Sequence, residues 1–164
     1  ENWTTPKKPK TVELQLVELT HLSDVAKIYS LKTKDSIDPL YQKFLEDYRI
    51  KYNSEIRDIQ IQLKMIGELG ARKDFFEKNK GAYGDNVCYL KNGRIRLFCI
   101  RWAHDVVIVG YGGYKPLGIK SWQEDPVLNE AGNYIKEVAA YLIKMKKSKM
   151  LETLHGVLIF KNNS

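Results

Sequence analysis

The stretch Asn86-Val-Cys-Tyr-Leu-Lys-Asn-Gly-Arg-Ile-Arg-Leu-Phe-Cys-Ile-Arg101 predicts a β-hairpin, and this hairpin decides the fold. At its centre lies Asn92-Gly93, a pair of residues that both tolerate positive φ and form the strongest short-range hairpin signal. A two-residue turn at this pair would place Tyr89 opposite Arg96 in the neighbouring strand.

Side chains alternate across a strand, so the hairpin presents two faces of different chemistry. One face is apolar and predicted to be core, and it carries Cys88, Leu90, Ile95, Leu97 and Cys99. The other face carries Val87, Tyr89, Lys91, Arg94, Arg96, Phe98 and Ile100. On this second face the turn would pair Lys91 with Arg94. The resulting row of cationic and aromatic side chains is either a phosphate-binding surface or a solvated face.

A third strand is predicted at Val106-Val-Ile-Val-Gly110, after the turn residues Trp102-Ala-His-Asp105. A loop of two or of four residues keeps Tyr111 on the face of Arg96, directly opposite Arg96 when the loop has four residues, whereas a loop of three residues sends Tyr111 to the core face. The first register aligns Tyr89, Arg96 and Tyr111 across three strands. We expect that register.

The length and the charge of the chain limit the number of domains and the kinds of partner that we expect. The chain has 164 residues, enough for one well-buried core and too few for two ordinary domains. It carries 27 Lys+Arg against 20 Asp+Glu, a formal charge of +7, which favours an acidic partner such as nucleic acid or an acidic protein. We predict a flexible basic arm at residues 1–10, a single α+β domain at residues 11–150 and a C-terminal extension at residues 151–164.

Several classes of site are not expected. No run of 18 apolar residues occurs, so we expect no membrane span and no membrane partner. The two cysteines and three histidines have no metal-ligand spacing, so no metal and no cofactor are expected. Cys88 and Cys99 are interpreted as small buried hydrophobic residues in a reducing, cytoplasmic setting.

Before the hairpin, the pattern predicts a strand and then helices. Val12, Leu14 and Leu16 alternate as in a strand, and Ser23 or Asp24 would cap a short helix that runs through Tyr29.

From Asp38-Pro39 onward, apolar residues recur at helical spacing as far as Ile66. This is either one long helix or a helical hairpin broken at Asn53-Ser54. A loop at Lys80-Gly-Ala-Tyr-Gly84 follows, and a C-terminal amphipathic helix is predicted from Asp125-Pro126. The fold class is therefore α+β: an N-terminal strand, a long helix or helical hairpin, a three-stranded antiparallel sheet and a C-terminal helix.

This order of elements, together with the segment from Arg94 to Pro116, resembles the RelE/ParE toxin superfamily, most closely its HigB-like, phage-derived (Gp49-like) branch. Members carry a strand with an arginine near its start, a tight turn, a hydrophobic strand and an aromatic or glycine-containing turn followed by lysine. Here these positions are Arg96, Val106 to Gly110, and Tyr114-Lys115. The resemblance covers roughly residues 38 to 145.

The resemblance implies the toxin of a type II toxin-antitoxin system: a cytoplasmic RNA endonuclease that cuts mRNA, usually on the ribosome, and is neutralised by a cognate antitoxin protein. The RNA's own 2′-hydroxyl attacks the adjacent phosphate, and the enzyme orients the strand and stabilises charge. The expected catalytic residues are Arg96, Lys115, Tyr111 and Tyr114. The expected RNA-binding residues are Tyr89, Lys91, Arg94 and His104.

A non-catalytic alternative stays open. The same basic face would serve a domain that binds a protein or nucleic-acid partner without cutting RNA. In the toxin branch the strand before the turn usually ends in arginine, and Lys91 is the nearest residue here.

Overall fold

The computed structural model describes residues 14–78 and 86–161. The strands are β1 (Gln15–Glu18), β2 (Lys27–Lys32), β3 (Glu77–Lys78), β4 (Val87–Asn92), β5 (Ile95–Ala103), β6 (Val106–Tyr114), β7 (Leu151–Leu154) and β8 (Val157–Phe160). The α-helices are α1 (Leu40–Tyr48), α2 (Asn53–Leu69) and α3 (Pro126–Lys147). Six strands form one mixed sheet in the order β1-β2-β6-β5-β4-β3, and β7 and β8 form a separate hairpin.

Helices cover both faces of the six-stranded sheet. Ser30 and Leu31 are consecutive in β2 and so point to opposite faces. The Ser30 hydroxyl accepts a hydrogen bond of 3.1 Å from the backbone of Tyr41 in α1, whereas Leu31 approaches Gly110 of β6 on the side where Ile135 of α3 packs. Helix α2 lies on the α1 face, because its Gly67 approaches the Ile28 side chain of β2. The core is therefore two layers, one on each side of the sheet.

The predicted three-stranded antiparallel sheet with a single N-terminal strand is wrong. The structure has a six-stranded mixed sheet, in which β2 runs parallel to β6 and β1 runs antiparallel to β2. Strand β2 occupies the place of the short helix predicted from Ser23 or Asp24 to Tyr29. All four of its interior residues are buried. A strand that is buried on both faces lacks the polar–apolar alternation that identifies strands. A short apolar run of this kind is equally compatible with a helix.

The regions predicted to be helical from Asp38 to Ile66 and from Asp125 onward contain helices in the structure. The long periodic region is a helical hairpin, because α1 ends at Tyr48 and α2 begins at Asn53. The C-terminal helix is confirmed, with the Asp125 carboxylate accepting a hydrogen bond of 3.0 Å from the backbone of Leu128 and proline in the first turn.

The β4–β5 hairpin has the predicted faces but not the predicted register. Its turn residues are Gly93 and Arg94, so Asn92 pairs with Ile95. Only Gly93 has a positive φ, at 55°, and a glycine in the first central position is the preference of type II′ turns rather than I′. Tyr89 and Lys91 accordingly lie opposite Phe98 and Arg96, in place of the predicted partners Arg96 and Arg94. The shift is two residues along β5, which leaves every side chain on its predicted face.

A β-bulge alters the pairing of β5 with β6, and unlike the shift in the hairpin it changes the face on which a side chain lies. Leu97 pairs with Gly112 and Cys99 pairs with Val109, so Gly110 and Tyr111 together oppose Phe98. Arg96 lies opposite Gly113 rather than Tyr111, and the extra residue turns the Tyr111 side chain to the α1 face, where it packs against Phe44.

The third strand was predicted to end at Gly110, and β6 instead continues as far as Tyr114. Glycine is required within this strand, because a Cβ on Gly112 would clash with the backbone of Arg96.

The C-terminal residues fold onto the α3 face. The Tyr29 hydroxyl donates a hydrogen bond of 3.1 Å to the carbonyl oxygen of Gly156, in the turn between β7 and β8, and Leu151 is buried. Cys88 and Cys99 are buried free thiols, as predicted. The predicted basic arm at residues 1–10, Val12 and the loop at residues 80–84 lie outside the described residues.

We predict that Gly67→Ala lowers the free energy of unfolding by about 1–3 kcal/mol, the usual effect of overpacking. Helix propensity alone predicts the opposite, a gain of about 1 kcal/mol. The contact decides the sign, because a Cβ at Gly67 meets the carbonyl oxygen of Leu22. Urea denaturation measures the change, with exposed Gln60→Ala in the same helix as the control. A stabilised Gly67→Ala protein would contradict the close packing of α2 on Leu22, which lies in the loop between β1 and β2.

Candidate functional site

Five residues form what we call the cationic cluster: Tyr89, Lys91, Arg94, Arg96 and Lys115. The strand pairing near the β4–β5 turn brings them together. Lys91 lies directly opposite Arg96, and the backbone N–H of Lys115 donates a hydrogen bond of 2.7 Å to the carbonyl oxygen of Arg94. Like charges opposite each other destabilise a sheet, so the Lys91–Arg96 pair does not serve folding. An anion bound between the two side chains would relieve their repulsion.

Arg96 is held in position by backbone and aromatic groups. Its Nη1 donates hydrogen bonds to the carbonyl oxygens of Gly93 at 2.7 Å and Ile95 at 3.2 Å. Its Cζ lies 5.8 Å from the centre of the Tyr89 ring, within the range of a cation–π interaction. Burial lowers the pKa of Arg96, but a guanidinium stays protonated in proteins. Among the described residues no hydrogen bond engages its Nε or Nη2, so these donors can meet a phosphate in a bidentate geometry.

Arg94 acts on the backbone rather than on a ligand. Its Nε donates a hydrogen bond of 2.5 Å to the carbonyl oxygen of Lys115, and its Nη2 donates one of 2.7 Å to that of Pro116. The guanidinium therefore clamps the chain just after β6. Its role in this structure is to position Lys115.

The two lysines of the cluster lie at its rim. Lys91 forms an ion pair of 3.2 Å with Glu77, in which both side chains are about half exposed. Lys115 donates a hydrogen bond of 3.3 Å to the carbonyl oxygen of Lys120. Exposed ion pairs contribute little to stability, about 0–1 kcal/mol. Replacing Glu77 by a polyanion as the partner of Lys91 would therefore cost little free energy.

The aromatic residues beneath the cluster form a packed series on the α3 face. The ring of Tyr89 meets Phe98 edge-on at 6.2 Å between centroids, and Phe98 meets Trp122 at 5.0 Å. Tyr89 is only partly buried, whereas Phe98 and Trp122 are buried. Tyr89 is thus the ring of this series that solvent reaches.

Two of the three tyrosines predicted for the site lie elsewhere. Tyr111 is buried on the α1 face, where its ring packs against Phe44 and its hydroxyl donates a hydrogen bond of 2.5 Å to Asp47. Tyr114 is opposite Ile95, on the face away from Arg96, and its ring stacks on Tyr52 at 4.9 Å. The bulge in β6 is the reason that Tyr111 does not stand beside Arg96. The structure therefore does not bring either tyrosine to the cationic cluster.

His104 is also distant from the cluster. It is exposed in the two-residue turn between β5 and β6, at the end of the sheet opposite Gly93. Strand β5 spans nine residues, about 26 Å from end to end at ~3.3 Å per residue. The cationic cluster contains no histidine, so proton transfer there would depend on Tyr89 or a lysine.

Sequence reasoning missed the surroundings of Lys115. Ser121 and Glu124 form a capping box at a short 3-10 helix, Trp122–Glu124. The Glu124 carboxylate accepts hydrogen bonds of 2.9 Å from the backbone N–H groups of Lys120 and Ser121, so it is occupied. The Ser-x-x-Glu spacing was a readable signal for this turn. Glu77 carried no such signal, because its strand has only two residues.

Comparisons with known proteins give no family. No family model, curated protein or solved structure matches the chain. Within residues 14–78 and 86–161, no group of three or more His, Cys, Asp or Glu side chains is placed to hold a metal ion. No helix in the described part of the chain has the length and apolar character needed to cross a membrane.

We predict that Tyr111 makes the fold sensitive to alkaline pH. Burial, and secondarily the hydrogen bond with Asp47, raises the pKa of Tyr111 well above 10. The unfolded phenol ionises near pH 10 while the folded one stays protonated, so this contribution to stability is complete below pH 10 and is lost as the pH rises above it.

Tyr111→Phe should therefore flatten the dependence of the free energy of unfolding on pH above 10. Urea titrations at several alkaline pH values measure it, and Tyr52→Phe, which removes a half-buried phenol, is the control. The same slope in Tyr111→Phe and in the unsubstituted protein would contradict the buried position of this phenol.

Proposed function

We propose that the protein binds single-stranded RNA through the cationic cluster. The observation that carries the proposal is the Arg96 guanidinium, which two backbone carbonyls and the Tyr89 ring orient while two of its nitrogens stay available. A bidentate arginine suits a phosphate, and a lysine adds a mobile point charge. Lys91 and Lys115 flank Arg96 along the strand ends. The cluster thus offers several phosphate contacts and one partly exposed ring.

Tyr89 favours an RNA strand over a simple anion. Single-stranded nucleic acids bind to surfaces that combine cations for the backbone with aromatic rings for the bases. The net charge of +7 adds a long-range attraction for any polyanion.

Cleavage of the bound RNA is a second candidate function, consistent with the toxin-like motif. Its supporting observation is that Arg96 and Lys115 lie two residues apart along paired strands, since Lys115 bonds to Arg94. In this reaction the 2′-oxygen bonds to the adjacent phosphorus and the bond to the 5′-oxygen breaks.

The proton of the 2′-hydroxyl passes to a base, and the 5′-oxygen receives one. Arg96 and Lys115 would stabilise the charge on phosphorus, and Tyr89 would carry a proton. As a toxin, the protein would act in the cytoplasm on mRNA at the ribosome and bind an antitoxin.

We predict that Arg96→Ala weakens binding to a short single-stranded oligoribonucleotide tenfold or more, since hydrogen bonds to charged groups contribute about 1.5–3 kcal/mol. Lys115→Ala should reduce the slope of log affinity against log salt by about 0.7, the contribution of one phosphate contact. Fluorescence anisotropy over a range of salt concentrations measures both. Arg57→Ala is the matched control, because Arg57 is an exposed arginine on α2. Equal losses in Arg57→Ala and Arg96→Ala would refute a specific site.

The two candidate functions separate in a cleavage experiment. The nuclease candidate predicts a product with a 2′,3′-cyclic phosphate, with or without ribosomes, and no cutting of a 2′-O-methylated strand. It also predicts growth arrest on expression, which Arg96→Ala with Lys115→Ala should abolish without unfolding the protein. Tight binding of both strands with neither one cut, even in the presence of ribosomes, would leave RNA binding alone.

A further inference from the structure

Two adjoining grooves lie at the end of the sheet opposite the cationic cluster. They have volumes of about 340 Å³ and 330 Å³, and both are lined by Asn86 and Trp102. Trp102 is near the end of β5, six residues from Arg96, or about 20 Å at ~3.3 Å per residue. Between the two positions, Phe98 and Ile100 are buried on the α3 face. The grooves are therefore a separate surface, which we call the tryptophan groove.

Cations surround the tryptophan groove on both sides. Lys73, Lys78 and Arg101 line the first part, and Lys146 and Lys147 line the second. No carboxylate is among the described residues that line either part. The four lysines are exposed, and none of them forms an ion pair with a described carboxylate. The Arg101 Nε donates a hydrogen bond of 2.5 Å to the carbonyl oxygen of Ala71, so the lysines are the mobile charges.

Trp102 stands between these two sets of lysines in a fixed orientation. Its indole N–H donates a hydrogen bond of 3.0 Å to the Thr153 hydroxyl of β7. The Nζ of Lys146 lies 5.7 Å from the centre of the indole. The ring is partly exposed, and it lines both parts of the groove. A planar ligand can reach it from the groove once the flexible Lys146 side chain moves aside.

We propose that the tryptophan groove is a second binding site for single-stranded RNA, distinct from the cationic cluster. A base stacks on the indole of Trp102, and the phosphates on either side of that base meet Lys146 and Lys147 in one direction and Lys73 and Lys78 in the other. Base–aromatic stacking requires no particular base. The site therefore binds RNA without strong sequence preference.

The arrangement favours RNA over an acidic protein segment. Charge alone would attract either partner. A central aromatic ring between two pairs of lysines matches the alternation of base and phosphate along a nucleic acid strand, and an acidic peptide has no planar group to place on the indole. The acidic peptide therefore serves as a comparison ligand.

Tryptophan fluorescence tests the site directly. In a Trp3→Phe background, titration with a short single-stranded oligoribonucleotide should quench the emission. The quench should disappear in Trp102→Phe and persist in Trp122→Phe, because Trp122 is buried. A quench that persists in Trp102→Phe overturns the proposal. Polyglutamate at matched charge should quench far less, and an equal quench overturns the preference for RNA.

Affinity provides a second readout. Trp102→Ala should weaken binding at this site about 5- to 150-fold, the range for loss of one stacked base. Lys146→Gln with Lys147→Gln should lower the salt slope by about 1.4, since each phosphate contact contributes ~0.7. Circular dichroism checks that each variant is folded, and if Trp102→Ala is not, the lysine variant decides alone. An unchanged salt slope in the folded lysine variant overturns the proposal.

The proposals for the cationic cluster and for the tryptophan groove can be refuted independently of each other. Arg96→Ala with Lys115→Ala removes contacts of the cationic cluster, and the Trp102-dependent quench should survive in that variant. A surviving quench assigns an RNA site to the tryptophan groove even where the function proposed for the cluster is wrong. A quench lost there but present in the unsubstituted protein overturns the independence of the tryptophan groove.

Discussion

The pairing of β6 with its two neighbours is the constraint on which the rest of the structure depends. Strand β6 lies between β2 and β5, and all of its residues except Tyr114 are buried. The extra residue in its pairing with β5 determines which side chains reach the α3 face and which reach the α1 face. The same strand delivers Lys115 to the end of the sheet, where Arg94 clamps the chain. Fold and candidate site thus share one element.

The cationic cluster is held by the layers beneath it and not by its own interactions. Opposed like charges such as Lys91 and Arg96 destabilise the folded state by about 0.2–1 kcal/mol. The exposed ion pair of Lys91 with Glu77 stabilises it by a similar amount. Burial of a large apolar side chain such as Phe98 contributes about 1.5–3 kcal/mol. The core is therefore large enough to hold a repulsive surface in place. The RNA that we propose as a ligand would place phosphates between these cations.

Some elements could be read from local pattern and others could not. The faces of β4 and β5, the two-helix region and α3 follow from alternation, helical spacing and caps. The hairpin register depended on which residue takes the first central position of the turn, and Gly93 rather than Asn92 does so. Strand β2 was hidden because helices cover both of its faces. The prediction of Tyr111 as a site residue failed because regular alternation does not anticipate a bulge.

By itself, the sequence determined that Tyr89, Lys91 and Arg96 share a face, because side-chain alternation depends only on the order of residues within a strand. It also determined a basic chain with a substantial apolar core. Only the tertiary structure decided that Tyr111 is buried against α1 and that Trp102 lies among lysines from distant segments. It also decided that the Arg94 guanidinium donates its hydrogen bonds to backbone carbonyl oxygens. These outcomes depend on contacts between residues far apart in the chain, and no local pattern records such contacts.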